Sequence, residues 1–305
     1  MIKFMYLFGV GLLAGNAIAQ KPIFAPVTHL NFNSPESWAL KYFTSVTLLS
    51  GLQPPEPMME ERHQIGSVTA GLELGWTPAL TPDQARVGFS GKKQEDLNKA
   101  PIFARPIVRV GLPWKFSVVV AAPAPVEVFS VTPRLFAVGF ERPIVERKQW
   151  RLGWRISGQL GSVHGPFTCP HKVLGFPVGS PNNPTGCTAE SDDKATLRYG
   201  ATELQFAYRM PKVPRLTPHI AGGINYLDSV FHVNAPLETR QDESRLWMRG
   251  RTFSWTAGAS YLLTKRVALT VDAFYTPLGV RRNAVGPVVN DGLFNVRALL
   301  SYALR

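Results

Sequence analysis

The sequence has few charged residues for its length. Only 18% of the 305 residues are Asp, Glu, Lys or Arg, whereas Gly and Pro number 26 each. Helical bundles need many Glu, Lys and Ala residues and few turn formers, so this composition disfavours a helical bundle and favours an all-β fold. Because 45% of the residues are apolar, the composition also excludes a disordered chain.

Long apolar runs are confined to the N-terminus. Lys3 precedes an apolar run from Phe4 to about Ala14, and Ala17-Ile18-Ala19 fits a cleavage site for export. We therefore predict a signal peptide at residues 1–19. Downstream, a polar residue interrupts every apolar run within a few positions, which excludes a helical membrane protein.

Cysteine is scarce: Cys169 and Cys187 are the only two. In an exported chain we predict that they form one disulfide, because the segment between them is rich in Pro and Asn, as a surface loop is. The alternatives are two free thiols or a metal site that includes His171. Two cysteines and one histidine do not complete a tetrahedral shell, so we predict no metal site and no cofactor.

Catalytic motifs are also lacking. The chain contains no G-x-S-x-G, H-E-x-x-H, Walker or G-x-G-x-x-G motif. Histidines and aspartates in the predicted loops offer an alternative, a hydrolase in which they activate water, but nothing fixes their spacing. These residues are His164, His171, Asp192, Asp193, Asp228 and His232. We expect a protein that is not an enzyme.

From Gly66 onward the hydropathy pattern has a period of two. In residues 66–78, Val68, Leu72 and Trp76 belong to an apolar set at even positions, and the odd positions are polar or small. This alternation predicts half-buried β-strands. Ten segments show it, and two further strands are possible if the N-terminal region joins the sheet. The segments are Gly66–Pro78, Phe103–Gly111, Trp114–Ala122, Val128–Phe140, Gln149–Gly161, Thr202–Met210, Arg215–Tyr226, Thr252–Leu262, Arg266–Thr276 and Phe294–Leu304.

The two faces of these strands differ in a way that favours a membrane barrel over a soluble β-sandwich. The polar faces carry Gly, Ser, Thr, Gln and scattered Arg, and the apolar faces carry Trp and Tyr near strand ends. Predicted connections alternate between long and short, with one exception at Pro123–Pro125. These features together resemble bacterial outer-membrane β-barrel proteins as a class.

The resemblance implies an antiparallel up-and-down barrel over residues 66–305, located in the outer membrane in contact with lipid and lipopolysaccharide. A soluble secreted β-sandwich is the alternative fold. Pro106, Pro133 and Pro218 fall inside predicted strands, where each removes a hydrogen-bond donor, so we expect bulges or shifted boundaries there.

Residues 20–65 form a separate N-terminal segment. Ser34 is a candidate N-cap and Pro35 occupies the favoured first helical position, which predicts a short helix from Pro35 to about Leu49. The sequence leaves open whether this segment lies in the periplasm or plugs the barrel.

The polar faces collect more basic than acidic side chains. The basic residues are Arg105, Arg109, Lys115, Arg151, Arg155, Arg209, Arg215, Arg266 and Arg297, and the acidic residues are Glu73, Glu203 and Asp272. If all point inward, the lumen is electropositive and would favour small anionic or amphipathic solutes. The alternative is that these side chains pair with one another and fill a narrow barrel.

Three functions are compatible with this sequence: a narrow pore or uptake channel, a barrel whose loops bind surface partners, and the hydrolase. We expect a monomer. Because the basic residues are dispersed along the strands of an exported chain, we expect no nucleic-acid partner.

Overall fold

The computed structural model describes residues 26–51, 65–283 and 286–304. The predicted signal peptide, residues 1–19, lies outside the described residues. Within the part of the chain that is described, no helix is both long enough and apolar enough to cross a membrane.

Ten antiparallel strands close into one barrel. Each strand pairs with the next in the chain, and the last pairs with the first, so the fold is an up-and-down barrel and not a two-sheet sandwich. The strands are β1 (Val68–Trp76), β2 (Ile102–Gly111), β3 (Ser117–Ala121), β4 (Thr132–Glu146), β5 (Trp150–Gly165), β6 (Asp193–Tyr208), β7 (Leu216–His232), β8 (Arg245–Leu262), β9 (Val267–Thr276) and β10 (Leu293–Ala303).

Side chains alternate between the inside and the outside of the barrel as the period of two predicts. In β1, Leu72, Leu74 and Trp76 are exposed on the outer face, while Thr69 and Glu73 are buried inside. An apolar outer face on a closed barrel is stable only against lipid, because closure satisfies the backbone hydrogen bonds that lipid cannot. The protein is an outer-membrane β-barrel.

Connections at the two ends of the barrel differ in length. One end has the short turns 112–116, 147–149, 209–215 and 263–266, and the other has the longer loops 77–101, 122–131, 166–192, 233–244 and 277–292. Short turns face the periplasm in this class of protein, so the long loops are extracellular. The short connection predicted at Pro123–Pro125 spans 122–131 in the structure, mainly because β4 begins at Thr132, four residues after the expected Val128.

Short elements occur within these connections. They are the helices Pro82–Ala85, Gly88–Gly91 and His171–Leu174, the 3-10 turn Pro113–Lys115, and the two-residue strands Arg86–Val87, Lys93–Gln94, Ala235–Pro236, Gln241–Asp242, Gly279–Val280 and Val289–Asn290.

At the three prolines the expectation was bulges or shifted strand boundaries: the expected bulges are wrong, whereas β4 begins at Thr132 instead of Val128, a shifted boundary next to Pro133. Strand register continues through Pro106, Pro133 and Pro218, and the shift that is observed lies between Pro143 and Val145. Each of the three prolines pairs with only one neighbouring strand at its level. The second pairing stops beside Pro106 and beside Pro218, and β3 ends before it reaches the level of Pro133, since its pairing with β4 stops at Ala137. A missing N–H on the unpaired side removes no ladder hydrogen bond.

Helix α1 (Pro35–Val46) begins where the sequence predicts and ends three residues earlier than the expected Leu49. The Ser37 amide donates to the Ser34 side-chain oxygen at 3.2 Å, which caps the first turn. Before the helix, Val27–His29 pairs in parallel with the outer end of β8, at Arg245–Trp247, without joining the closed barrel.

Candidate functional site: a plugged lumen beside apolar cavities

Helix α1 is anchored to the extracellular loops at its N-terminal half. The Trp38 indole N–H donates to the Asp291 carbonyl oxygen at 2.7 Å, and the Lys41 ammonium donates to the Gly279 carbonyl oxygen at 2.5 Å. Trp38 and Lys41 are fully buried. The chain therefore runs from the extracellular rim down into the barrel.

Two arginines of the barrel wall hold the C-terminal end of α1. Arg105 donates to the carbonyl oxygens of Thr47 and Leu48 at 2.7 and 3.1 Å, and Arg297 donates to Leu48 at 2.6 Å and Val46 at 3.3 Å. A helix leaves its last carbonyls without intrahelical partners and carries partial negative charge there. The guanidinium groups satisfy both requirements.

Below the helix, residues 49–51 cross the lumen against the opposite wall. The Leu49 amide donates to the Tyr199 hydroxyl at 2.7 Å, and Arg155 donates to the Gly51 carbonyl at 3.0 Å. Ser50 donates to Glu203. Gly51 has a φ of +67°, and a Cβ there would lie 2.4 Å from an Asp272 oxygen, so only glycine fits. The chain from α1 to Gly51 forms a plug.

Buried acids balance the charge of the lumen arginines. Arg105 makes a two-pronged contact with Glu73, at 2.6 and 3.1 Å, and Asp272 accepts from the His219 ring at 2.8 Å. Arg151 is also buried and is not without a partner.

Glu141, one residue beyond the predicted segment Val128–Phe140, lies in β4 between two arginines. Its carboxylate oxygens are 2.5 Å from Arg109 and 2.8 Å from Arg155. The signal that could have found it was the continued period of two through Ala137 and Gly139.

Four of the predicted lumen residues are not inside the barrel. The Lys115 side chain is 63% exposed and pairs with Glu146 at a periplasmic turn. Arg215 and Arg266 are exposed in turns, and Arg209 is half-buried just beyond the end of β6. Alternation fixes the side of a residue only within a strand, and these residues lie where the strands have ended. The lumen therefore holds five of the nine basic residues.

An apolar cavity of about 420 Å³ lies between the plug and one side of the barrel; we call it the inner chamber. Phe43 and Val46 of α1 line it on one side, and Phe103, Leu135 and Val163 line it on the other. Its lining is mostly apolar, and Arg105, which also borders it, is already paired with Glu73.

The barrel wall is incomplete beside the inner chamber. β3 pairs with β2 only at Ile107–Gly111 and with β4 only at Ala137–Glu141, so the outer halves of β2 (102–106) and β4 (132–136) have no described strand between them. We call this region the wall gap. Loop 122–131 covers it, and the outward-facing Ile102 and Ala104 also line the chamber. The chamber therefore reaches the outer face of the barrel.

A second cavity of about 190 Å³, the outer chamber, lies among the extracellular loops. Phe43, Leu97 and Phe167 line both chambers, so the two are neighbours. Most of the lining is apolar, with Glu36, Glu95 and Asp242 as its charged members.

Cys169 and Cys187 form the predicted disulfide in loop 166–192, next to the outer chamber. Three of the histidines and aspartates considered for hydrolysis have separate partners. Asp193 accepts from the Thr168 and Asn234 amides, whereas His171 contacts Glu190 and Asp228 accepts from Trp247. No cluster of three His, Cys, Asp or Glu suited to a metal ion occurs in the described ranges.

No protein-family model matches this chain, and no curated protein matches its sequence. Similar solved structures are bacterial outer-membrane barrels. The outer-membrane protease OmpT from Escherichia coli shares 10% identity and a TM-score of 0.41, covering 78% of this chain and 94% of its own. The toluene transporter TodX from Pseudomonas putida shares 9% identity and a TM-score of 0.33, covering 90% and 77%. The attachment protein Ail from Yersinia pestis shares 9% identity and a TM-score of 0.29, covering 79% and 99%.

Proposed function

We propose that this barrel is an uptake channel for small apolar molecules. The observation that supports it is the inner chamber, an apolar cavity that extends from the plug to the wall gap. Ligand sites are typically concave and mostly apolar, and this chamber has both properties.

The axis of the barrel is poorly suited to ions. The plug fills it, and the arginines of the lumen already contact carboxylates or plug carbonyls. With Arg105, Arg109, Arg151, Arg155 and Arg297 facing Glu73, Glu141, Glu203 and Asp272, the charge is nearly balanced. This arrangement favours the alternative in which the charged side chains pair with one another and fill the barrel over an anion-selective lumen.

An apolar molecule could leave the barrel through the wall gap instead of along the barrel axis. Trp76, Phe136 and Leu160, on the outer face around the gap, are exposed and apolar, so the gap lies at the level of the lipid tails. Loop 122–131 carries only one charged residue, Glu127. In the proposed route a molecule enters through the loops, occupies the inner chamber and passes beside this loop into the outer leaflet.

The test is uptake of radiolabelled naphthalene by cells that express the protein, compared with two tryptophan variants. Leu135→Trp fills the inner chamber, whereas Phe136→Trp, its neighbour in the same strand, faces lipid. Because the larger ring would occupy space that the bound molecule needs, we expect Leu135→Trp to reduce protein-dependent uptake about tenfold, which corresponds to about 1.4 kcal/mol of lost binding free energy. Phe136→Trp should behave like the parent. Equal uptake by all three proteins, or none by the parent above cells that lack it, would contradict the proposal.

A further inference from the structure

Charge is distributed unequally between the two ends of the barrel. The four short periplasmic turns, all within the described residues, carry eight basic residues and no acidic residue, whereas the five extracellular loops carry eight basic and ten acidic residues. A surface with one sign of charge attracts partners of the opposite sign. We call the basic residues of the turns the basic rim; they are Lys115, Arg147, Lys148, Arg209, Lys212, Arg215, Lys265 and Arg266.

The protein itself neutralises little of the basic rim. All of its members except the half-buried Arg209 are exposed. Within the described part of the chain, only Lys115 forms an ion pair with an acid, Glu146. Residues 52–64, which lie outside the described residues, contain three glutamates, too few to neutralise eight cations. Negative charge supplied by another molecule would therefore be stabilised at this end of the barrel.

The same turns also expose apolar side chains. Trp114 is 80% exposed in turn 112–116, Val213 is 41% exposed in turn 209–215, and Leu263 is 44% exposed in turn 263–266. Each lies within two residues of a member of the basic rim. Exposed aromatic and apolar side chains beside Lys and Arg are typical of segments that lie in the headgroup region of a membrane. The combination favours lipid headgroups over a soluble anion as the partner of the rim.

The depth of the basic rim also fits lipid headgroups. Trp150, Tyr208 and Tyr261 lie outward-facing and exposed at the periplasmic ends of β5, β6 and β8. Aromatic residues at strand ends form a girdle at the membrane interface. The periplasmic turns are only three to seven residues long, so they cannot carry their cations far from this girdle. The rim therefore lies at the level of the lipid phosphates.

We propose that the basic rim binds anionic phospholipids at the periplasmic surface of the membrane, with their phosphates at the cations and their acyl chains along the outer face of the barrel. Lys and Arg donate charge-assisted hydrogen bonds to phosphate oxygens. One cation near a membrane surface favours anionic over zwitterionic lipid by about fivefold. The inference is independent of the proposed uptake, which uses the chambers at the extracellular side.

The experiment is native mass spectrometry of the folded mature protein in detergent. The protein is supplied with equal amounts of phosphatidylglycerol and phosphatidylcholine that share the same acyl chains, and the bound lipids of each kind are counted. We expect bound phosphatidylglycerol to exceed phosphatidylcholine by about fivefold. Salt screens exposed charges, so this ratio should fall as the ionic strength rises.

Removing half of the charge of the rim should reduce the ratio to below about twofold. The turn variant that does so combines Arg147→Gln, Lys148→Gln, Lys212→Gln and Arg215→Gln. The matched loop variant removes four exposed cations of the extracellular loops and should keep the ratio of the parent; it combines Lys92→Gln, Lys172→Gln, Arg240→Gln and Arg281→Gln. Unchanged mobility in electrophoresis without boiling checks that both variants are folded.

A smaller variant keeps the test decisive if the turn variant does not fold: Lys212→Gln with Arg215→Gln, in one turn, should give an intermediate ratio. Equal binding of the two lipids by the parent would overturn the inference and favour an acidic periplasmic protein as the partner. A ratio that the turn variant keeps, or that the loop variant loses to the same extent, would also overturn it. Added inorganic phosphate should leave the ratio unchanged, and its loss would show that the rim binds free anions instead of lipids.

Discussion

Single side chains hold the plug in place, and Arg297 shows this most clearly. It is fully buried, donates to carbonyl oxygens at the end of α1, and lies 4.2 Å from the centre of the Phe274 ring. Its planar guanidinium can make these contacts together, which a lysine ammonium cannot.

We expect Arg297→Met to lower the free energy of unfolding by about 3 kcal/mol, because it leaves buried carbonyl oxygens without donors. Urea titration in lipid vesicles measures the change. Arg266→Met is the matched control, since Arg266 lies exposed in a turn, and it should change stability by less than about 0.5 kcal/mol. Similar effects of the two substitutions would show that Arg297 does not hold the plug.

At the scale of elements, the sequence predicted the strands better than their ends. All ten segments with a period of two are strands, because lipid outside and polar groups inside impose alternation along the whole strand. The outer ends were predicted poorly: β6 begins at Asp193 rather than Thr202, because at that end the apolar residues Ala195, Leu197 and Tyr199 face inward and the phase of the alternation is reversed. The same limit explains why Arg215 and Arg266 were wrongly placed inside.

The candidate site was less predictable, because it depends on which elements pack together. Ser34 and Pro35 were enough to predict the helix. Its insertion into the lumen could not be predicted in the same way, because it depends on partners such as Arg105 and Tyr199, which lie far along the chain. The end of β3 was predicted to within one residue, but the wall gap also depends on β2 and β4 extending beyond that end, and hydropathy does not show which strands lie side by side at that level.

The disulfide loop is an element whose role can be tested separately from the barrel. The bridge closes a short loop, and a crosslink of this span stabilises a fold by about 3 kcal/mol, mainly by restricting the unfolded loop. We expect the double variant Cys169→Ser, Cys187→Ser to become sensitive to protease in loop 166–192 on intact cells. The barrel strands should stay folded, as judged by unchanged mobility of the unboiled protein in electrophoresis. Loss of that mobility would assign the disulfide a role in the barrel itself.

At the scale of the whole molecule, the plug should prevent the barrel from conducting ions. The parent should be electrically silent in planar bilayers, because α1 and residues 47–51 occupy the lumen. Deletion of Pro26–Gly51 should produce discrete channels, since the lumen left behind is lined by charged side chains that water can hydrate. Selectivity between anions and cations should be weak because the charges nearly balance. Steady conductance by the parent, with the same amplitude as the deletion variant, would contradict a plugged barrel.

The most direct test of the whole account is to locate a bound apolar molecule. Crystals of the mature protein soaked with iodobenzene would reveal the iodine by its anomalous scattering. We predict a peak in the inner chamber, between Phe43 on the plug and Leu135 on the barrel wall. A peak only on the lipid-facing surface, or one on the barrel axis beside the buried arginines, would contradict the claim that this barrel carries apolar molecules beside its plug.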